Sequence, residues 1–310
     1  MTPAGTRFVA VGGARIHVRD TGDRGLPTVV ALHGIGRTLQ DWEPQHDRLA
    51  VGRRMISLDL PGFGFSDRLP RTGSPPRDAD DVLPDLADGV LATLDALDET
   101  GPVHVLGNSL GGAVALQVLA GRPARVRSLT LVNSAGFGRE VTAALRLLAV
   151  PGLGKLLLRP SRGSTRRAEQ ALFADPAFAT EERVDHAMAV AQRPGTATAF
   201  LEAGRALGTF RGVRTDWRTR LLEGVAAHPR PTLILWGDRD RVLPPHHLRA
   251  ALDLLPHAQT HVYGGVGHMP QVERADEVGR LVGAFLARHD TDTDTDAPPA
   301  APAHRSGAAS

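Results

Sequence analysis

A serine lies at a sharp turn between a short apolar run and a small apolar helix. Residues 103–106 are too few for a helix, whereas residues 113–120 are good helix formers. Ser109 lies between them, with Gly107 and Gly111 two positions away on either side. Glycines at these positions provide the clearance of a strained turn that exposes a serine Oγ at the top of a sheet. The pattern predicts that Ser109 is a nucleophile.

A histidine and two aspartates later in the chain could serve such a serine. His268 ends a glycine-rich loop, and an imidazole with an intrinsic pKa of about 6.5 can accept a proton and return it to a leaving group. Asp238 and Asp240 both follow a predicted strand. A carboxylate beside the imidazole fixes its tautomer and stabilises the imidazolium. The residues alone leave both aspartates open, and the set as a whole indicates nucleophilic acyl transfer.

The adjacent pair His246 and His247 is another concentration of ligating side chains. The pair lies at the start of a predicted helix, where neighbouring side chains point apart, and no acidic or sulfur partner lies at metal-ligand spacing. We therefore expect no metal site. Ser134 also follows a predicted strand but lacks the glycines of an elbow, so we expect it to be a turn or pocket-rim residue.

Composition narrows the class of protein. The chain has 310 residues, enough for one large core with an inserted subdomain, and it has no cysteine for disulfides, thiolate chemistry or Cys-zinc sites. The formal net charge is only +2, and no basic run interleaved with aromatics suggests nucleic-acid binding. With no apolar leader and no run of membrane-spanning length, we expect a cytoplasmic protein that acts on a small molecule without a cofactor.

The elements that must position these residues alternate between strand and helix. The predicted strands lie at residues 8–11, 15–18, 28–32, 54–58, 103–106, 126–132, 232–236 and 260–263. The predicted helices of this part lie at residues 42–50, 80–97, 113–120, 245–255 and 272–288. Two antiparallel strands followed by repeated strand–helix units predict an α/β fold with a mostly parallel, doubly wound sheet.

The alternation stops between residues 137 and 215. Helical patterns separated by proline and glycine breaks predict an all-helical insertion there; these patterns lie at residues 141–148, 166–173, 181–192 and 197–207. We expect a core made of residues 1–136 and 216–289, with residues 137–215 as a cap over the site. Residues 71–76 are predicted to be a loop, and residues 290–310 a disordered tail.

Four segments resemble the motifs of α/β-hydrolases that carry a cap domain. Residues 33–36 (HGIG) resemble the family's oxyanion loop, and residues 59–66 (DLPGFGFS) resemble its D-x-P-G-x-G-x-S turn. Residues 107–111 resemble the nucleophile elbow. Residues 236–240, with the later Gly267-His268, resemble the acid and histidine segments. The four segments occur in the family's order, and the resemblance covers roughly residues 7–288.

The resemblance implies a role for each matching position. Ser109 would be the nucleophile, His268 the base, and Asp240 the acid, because the family places its acid three residues after the glycine of the Trp-Gly pair. Asp238 would then bond local turn amides.

The resemblance also implies an oxyanion hole. It would consist of the backbone N–H groups of Ile35 and Leu110, and His33 would brace the loop by hydrogen bonds. The candidate substrate contacts next to these positions are Gly34, Asn108 and Met269.

The expected function is that of a serine hydrolase cleaving an ester or similar acyl bond of a small, largely apolar substrate through an acyl-enzyme. Ser109 argues against the dehalogenase and epoxide-hydrolase members of the family, whose elbow nucleophile is an aspartate. A receptor that keeps the triad and works through movement of its cap is one alternative.

The other alternative is a carbon–carbon bond hydrolase of aromatic degradation, acting on a vinylogous diketone acid. Such enzymes share an Asn-Ser elbow, and a cap arginine could hold the substrate carboxylate. Ile35 and Met269 stand where these enzymes typically carry glycine and tryptophan, which counts against this alternative. The cap arginines considered for the carboxylate are Arg166, Arg167, Arg193 and Arg205. We expect their charged groups to face solvent.

Overall fold

A computed structural model of the protein describes residues 5–70, 79–150, 154 and 158–291. The predicted loop at residues 71–76 and residues 292–310, which are most of the predicted tail, lie outside the described residues.

The predicted α/β sheet is confirmed. Its strands in chain order are β1 (Thr6–Val11), β2 (Ala14–Thr21), β3 (Thr28–Leu32), β4 (Arg54–Leu58), β5 (Val103–Asn108), β6 (Val126–Val132), β9 (Thr232–Gly237) and β10 (Gln259–Tyr263), numbered around a separate pair, β7 (Gly208–Thr209) and β8 (Gly212–Val213). The spatial order is β1-β2-β4-β3-β5-β6-β9-β10. β1 pairs with β2, and β2 with β4, in antiparallel fashion, whereas the remaining pairs are parallel.

Helices cover both faces of the sheet, and further helices lie in the segment between β6 and β9. The helices are α1 (Glu43–Leu49), α2 (Ala79–Asp95), α3 (Leu110–Gly121), α4 (Ala143–Leu148), α5 (Arg162–Gln170), α6 (Glu181–Ala191), α7 (Thr196–Leu207), α8 (Thr215–Ala226), α9 (His247–Leu254), α10 (Pro270–Glu273) and α11 (Ala275–Ala287). The prediction of one continuous helix at residues 272–288 is wrong, because two helices occupy this segment. The backbone leaves the helical region at Arg274 (φ −132°, ψ 46°), which separates α10 from α11.

The central strands are largely apolar and buried because both of their faces are covered. Along β3, Val29 and Ala31 belong to the core on one face, together with Phe285 of α11. Val30 and Leu32 point the other way, into the core that contains residues of α2, α3 and α8. Side chains alternate across a strand, so one five-residue run stabilises two cores.

The segment between β6 and β9 contains α4–α8 and the β7–β8 hairpin. The expectation of an all-helical insertion is therefore wrong at residues 208–213. Gly212 has a φ of +112°, and a Cβ there would lie 2.4 Å from the Arg139 carbonyl oxygen. Val213 N–H donates to the same oxygen at 2.9 Å. A glycine conformation and this tertiary hydrogen bond, neither of which follows a helical period, explain the hairpin.

Among the helices of the described residues, none combines the length and the apolar character needed to cross a membrane.

Candidate active site

Ser109 stands at the junction of β5 and α3 in a strained conformation. Its φ of 56° and ψ of −117° lie outside the regions that non-glycine residues normally occupy. The flanking glycines are needed for steric reasons: a Cβ at Gly107 would lie 2.3 Å from the Gly111 carbonyl oxygen, and one at Gly111 would lie 2.2 Å from that of Leu32. Ser109 N–H donates to the Val132 carbonyl at 3.1 Å, which anchors the turn to β6. The sequence therefore builds the elbow that its glycines predict.

The structure brings Asp240, and not Asp238, to His268. His268 Nδ1 lies 2.8 Å from Asp240 Oδ2, and the two side chains are 5% and 0% exposed. The other carboxylate oxygen of Asp240 accepts from Val242 N–H at 2.7 Å and Leu243 N–H at 3.0 Å. With Nδ1–H donating to the carboxylate, Nε2 is the nitrogen that can accept a proton.

Asp238 occupies a different place. Its Oδ1 accepts from Gly265 N–H at 2.7 Å, and its side chain is 41% exposed. It therefore bonds the backbone of the glycine-rich loop before His268, in line with the expected turn-amide role.

Asn133 takes part in the site, and sequence reasoning missed it. It follows β6 with a φ of 44°, and its Nδ2 donates to Asp240 Oδ2 at 2.6 Å. The same oxygen thus accepts from both Asn133 and His268, and Asn133 fixes the carboxylate in the plane that His268 uses. The available signal was a polar residue at the carboxyl end of a buried strand.

Glu273 is a second residue that sequence reasoning missed. Its Oε1 accepts from Gly267 N–H at 2.8 Å, and its Oε2 accepts from Ala174 N–H at 2.9 Å. Glu273 therefore joins the loop that carries His268 to the segment between α5 and α6. Burial is the main cause that raises the pKa of this carboxyl, and the two backbone donors oppose that shift.

The predicted oxyanion loop lies against Ser109. A Cβ at Gly34 would lie 3.2 Å from Ser109 Cβ, and both Ile35 and Leu110 line the same cavity as Ser109. Leu110 N–H, at the first position of α3, has no partner within its helix. Both residues that are predicted to form the oxyanion hole therefore lie beside the serine.

His33 braces this loop through both ring nitrogens. Its Nδ1 lies 2.7 Å from the Gly34 carbonyl oxygen, and its Nε2 accepts from Leu60 N–H at 2.9 Å. Burial lowers the pKa of His33, which favours the neutral ring that can donate at Nδ1 and accept at Nε2. This is the bracing role that the sequence suggested.

A largely apolar cavity of about 90 Å³ adjoins Ser109. Its wall includes apolar side chains of the core and of the segment between β6 and β9: Ile35, Leu110, Val141, Leu145, Phe200, Leu201, Leu207, Trp217, Val242 and Leu243. Phe200 packs on the oxyanion loop, since a Cβ at Gly36 would lie 2.7 Å from its ring. The cavity is thus enclosed by both parts of the chain.

None of the three candidate substrate contacts, Gly34, Asn108 and Met269, is among the residues that line this cavity. Asn108 is buried, and its Nδ2 donates to the carbonyl oxygens of Val132 and His268, each at 3.1 Å. Met269 is fully buried in a cluster with Phe173 and Ala179. Gly34 lies against Ser109, whereas the side chains of Asn108 and Met269 pack around the His268 loop. Contact of these three residues with a substrate stays a prediction.

The four arginines considered for a substrate carboxylate are not among the lining residues either. Arg166 pairs with Glu181 and Arg167 is exposed. Arg193 donates to the Gly64 carbonyl and lies over the Phe65 ring at 5.1 Å. Arg205 is half-buried on α7.

Comparisons with known proteins agree with this geometry. The sequence model of the α/β-hydrolase fold family matches residues 27–275. The chain is similar to the dihydrolipoyllysine-residue acetyltransferase component of the acetoin cleaving system of Pseudomonas putida, at 33% identity over 90% of this chain and 68% of that protein. It is similar to 2-hydroxymuconate semialdehyde hydrolase of Pseudomonas sp. strain CF600, at 34% identity over 92% of this chain and 94% of that enzyme. The solved structure of a meta-cleavage product hydrolase from Pseudomonas fluorescens IP01 matches with a TM-score of 0.73 at 26% identity, covering 91% of this chain and 97% of the other.

Proposed function

The chain belongs to the α/β-hydrolase fold family, and on that premise we propose that it is a serine hydrolase cleaving an ester or related acyl bond of a small, largely apolar substrate. It is a hydrolase of this fold, and the proposal concerns the bond and the substrate. Support comes from three features: the strained elbow at Ser109, a buried imidazole paired to a buried carboxylate, and the cavity that Ser109 shares with Ile35 and Leu110.

The proposed reaction uses these groups in two halves. Ser109 Oγ attacks the carbonyl carbon while His268 Nε2 takes the hydroxyl proton, and Asp240 stabilises the resulting imidazolium. The N–H groups of Ile35 and Leu110 donate to the oxyanion of the tetrahedral intermediate. His268 then returns the proton to the departing alkoxide, which leaves an acyl group on Ser109. Water, deprotonated by His268, releases the acid and restores the serine.

The proposed substrate class rests on the composition of the cavity wall. Among the described lining residues the one cation is Arg146, whose side chain is exposed and whose Nε donates to the Phe210 carbonyl at 2.7 Å. A buried substrate carboxylate without a paired cation would be costly, whereas an apolar acyl chain gains from burial at about 25 cal/mol per Å². An apolar acyl group is therefore the substrate part that suits this wall.

A second candidate is cleavage of a carbon–carbon bond in a vinylogous diketone acid. It is favoured by the 34% identity to 2-hydroxymuconate semialdehyde hydrolase, which extends over nearly the whole of both chains. Asn108 before the serine agrees with it as well. In this case Arg146 would have to leave the Phe210 carbonyl to meet the substrate carboxylate.

A fluorophosphonate probe and a graded substrate panel test the proposal. The panel contains nitrophenyl esters of increasing acyl length and one vinylogous 1,5-diketone acid. We expect labelling of the wild type, repeated turnover of neutral esters with a preference for medium chains, and loss of both in Ser109→Ala by several orders of magnitude. Ser134→Ala is the matched control, because Ser134 is also buried and follows a strand but has no elbow; it should retain labelling.

Three outcomes would overturn the proposal. Unchanged labelling of Ser109→Ala would place the nucleophile elsewhere. Faster cleavage of the diketone acid than of any ester, lost in Arg146→Gln, would establish the second candidate. A single slow acylation without turnover would indicate a receptor.

A further inference from the structure

Three potential metal ligands from two distant segments meet beside the Asp240 loop. Glu140 follows β6, and His246 and His247 lie at the start of α9. Glu140 Oε2 lies 3.0 Å from His247 Nε2 and 3.4 Å from His246 Nε2. One ligand atom from each residue falls within 4.8 Å of the other two. The expectation that adjacent histidines point apart is wrong here, because His246 precedes the helix and the two rings stand 5.0 Å apart at 84°.

His247 is held in this orientation by the core. Its side chain is 2% exposed, and its ring packs edge-on against Trp236 with centroids 6.3 Å apart. The ring lies directly over the backbone of Gly138, where a Cβ would come within 2.0 Å of it. Only glycine at residue 138 therefore admits this imidazole, and Nε2 is left aimed at Glu140.

The segment that carries Glu140 is fixed as well. The carbonyl of Arg139 accepts from Val213 N–H at 2.9 Å, and Thr142 N–H donates to the Val242 carbonyl at 3.1 Å. These bonds hold the backbone on both sides of Glu140 against β8 and the loop between β9 and α9. The carboxylate and the buried imidazole are thus positioned by the fold and not by each other alone.

We propose that Glu140, His246 and His247 form a binding site for a divalent transition metal, and that the preferred ion is Zn²⁺. Zinc accepts imidazole nitrogen and carboxylate oxygen at about 2.0–2.2 Å in tetrahedral geometry, so its ligand atoms stand roughly 3.3 Å apart. The separations of 3.0 and 3.4 Å from Glu140 to the two histidines match that spacing. Three protein ligands leave the fourth position to water.

The mixed nitrogen and oxygen set selects the class of ion. Imidazole suits zinc, copper and nickel, whereas magnesium and calcium prefer all-oxygen sites. The bound metal would join the segment after β6 to the start of α9. His247, at that start, lies seven residues after Asp240. It would therefore stabilise the loop that supplies the acid, while no ligand of the metal lines the substrate cavity.

Titration of the tag-free, chelator-treated full chain tests the site. We expect calorimetry to give one Zn²⁺ per chain, Zn²⁺ to raise the melting temperature, and Co²⁺ to develop the visible absorption of a tetrahedral complex. Mg²⁺ should do none of these. His246→Ala and Glu140→Gln should each weaken Zn²⁺ binding by about 100-fold or more, since each removes a direct ligand and even outer-shell partners change affinity 10–100-fold.

His261→Ala is the matched control, because it removes an exposed histidine on β10; its Zn²⁺ affinity should equal that of the wild type. His246→Ala is preferred to a change at buried His247, because His246 is 64% exposed and its loss leaves the core intact. Absence of Zn²⁺ binding, or affinity in His246→Ala equal to that of the wild type, would overturn the proposal. Ester turnover of the metal-free protein should be the same in His246→Ala and wild type, so failure here is separate from failure of the proposed function.

Discussion

The core side of the candidate site is held by buried polar groups, whereas in the proposed cap, residues 137–215, helices α5 and α6 are joined to each other by exposed ion pairs. Asp240 and His268 are almost fully buried and bond each other, the Val242 and Leu243 amides and Asn133. In the cap, α5 and α6 are joined by Arg162 and Arg166, which both pair with Glu181 through side chains that are 38–60% exposed.

The difference separates the chemistry from the selection of substrate. A buried charge that loses a partner pays the full desolvation cost, so the core network tolerates little change. Exposed pairs are screened by water and salt, so the ion pairs between α5 and α6 can be changed at small cost. Two contacts connect the regions at the histidine: Leu172 accepts from His268 N–H at 2.7 Å, and Glu273 bonds both sides.

The largest effect is expected at the acid. Asp240→Asn would present an amide to His268 and leave the ring in a mismatched tautomer, so kcat for ester hydrolysis should fall by about 10³–10⁴-fold. Asp238→Asn is the matched change, two residues away and half-exposed, and should cost no more than about tenfold because it weakens only turn hydrogen bonds. Steady-state kinetics of the two variants decide the matter, and the reverse ranking would refute the pairing role proposed for Asp240.

The core should also be acid-labile at His46. This buried ring lies between Thr21 Oγ1 at 2.8 Å and Ser57 Oγ at 2.7 Å, and burial, with Arg19 nearby, lowers its pKa to about 3. In the unfolded chain the His46 ring takes up a proton near pH 6.5, whereas in the folded chain it stays neutral until about pH 3. The neutral buried ring therefore contributes fully to the free energy of unfolding above pH 6.5, and this contribution is lost as the pH falls toward about 3.

Urea unfolding at pH 7 and pH 5 measures the contribution of His46 to the free energy of unfolding. The wild type should lose about 2 kcal/mol more between these pH values than His46→Gln, which cannot titrate. His261→Gln removes an exposed histidine and should show the wild-type pH dependence. Equal losses in His46→Gln and wild type would contradict the assignment.

Glu273 tests the connection between the two regions. Glu273→Gln keeps one acceptor oxygen but turns an NH₂ group toward the other backbone donor, at either Gly267 or Ala174. The free energy of unfolding should fall by about 1–3 kcal/mol, the usual cost of an unsatisfied buried donor. Glu277→Gln, an exposed change on the neighbouring helix, is the control and should leave stability unaltered. Equal stability of the two variants would show that Glu273 does not stabilise the contact between the two regions.

The smallest effect is expected in the cap. Arg166→Gln removes an exposed pair with Glu181, and Arg167→Gln removes an exposed arginine next to it on α5. Both variants should hydrolyse neutral esters within about threefold of the wild-type rate, a change of less than about 1 kcal/mol in the barrier. Selective loss of an activity toward an anionic substrate in either variant would show that the cap recognises charge, and the comparison would fail.

The sequence by itself determined the features that depend on neighbouring residues. The buried strands at residues 28–32, 54–58 and 126–132 have the predicted bounds, because a short run rich in apolar residues between turn residues suits a covered strand. The elbow at Ser109 follows from glycines two positions away on either side, whose clearance the contacts confirm. Both features are local, so contiguous residues are enough to predict them.

Only the tertiary structure decided which distant residues meet. Asp238 and Asp240 are indistinguishable as residue types, and the preference for Asp240 came from a family resemblance; the structure brings Asp240 to His268. Met269 follows the histidine but packs away from the cavity, and Glu140 meets His247 across more than a hundred residues. These outcomes depend on how the strands and helices pack on one another, and that packing sums many weak contacts which no short stretch of sequence contains.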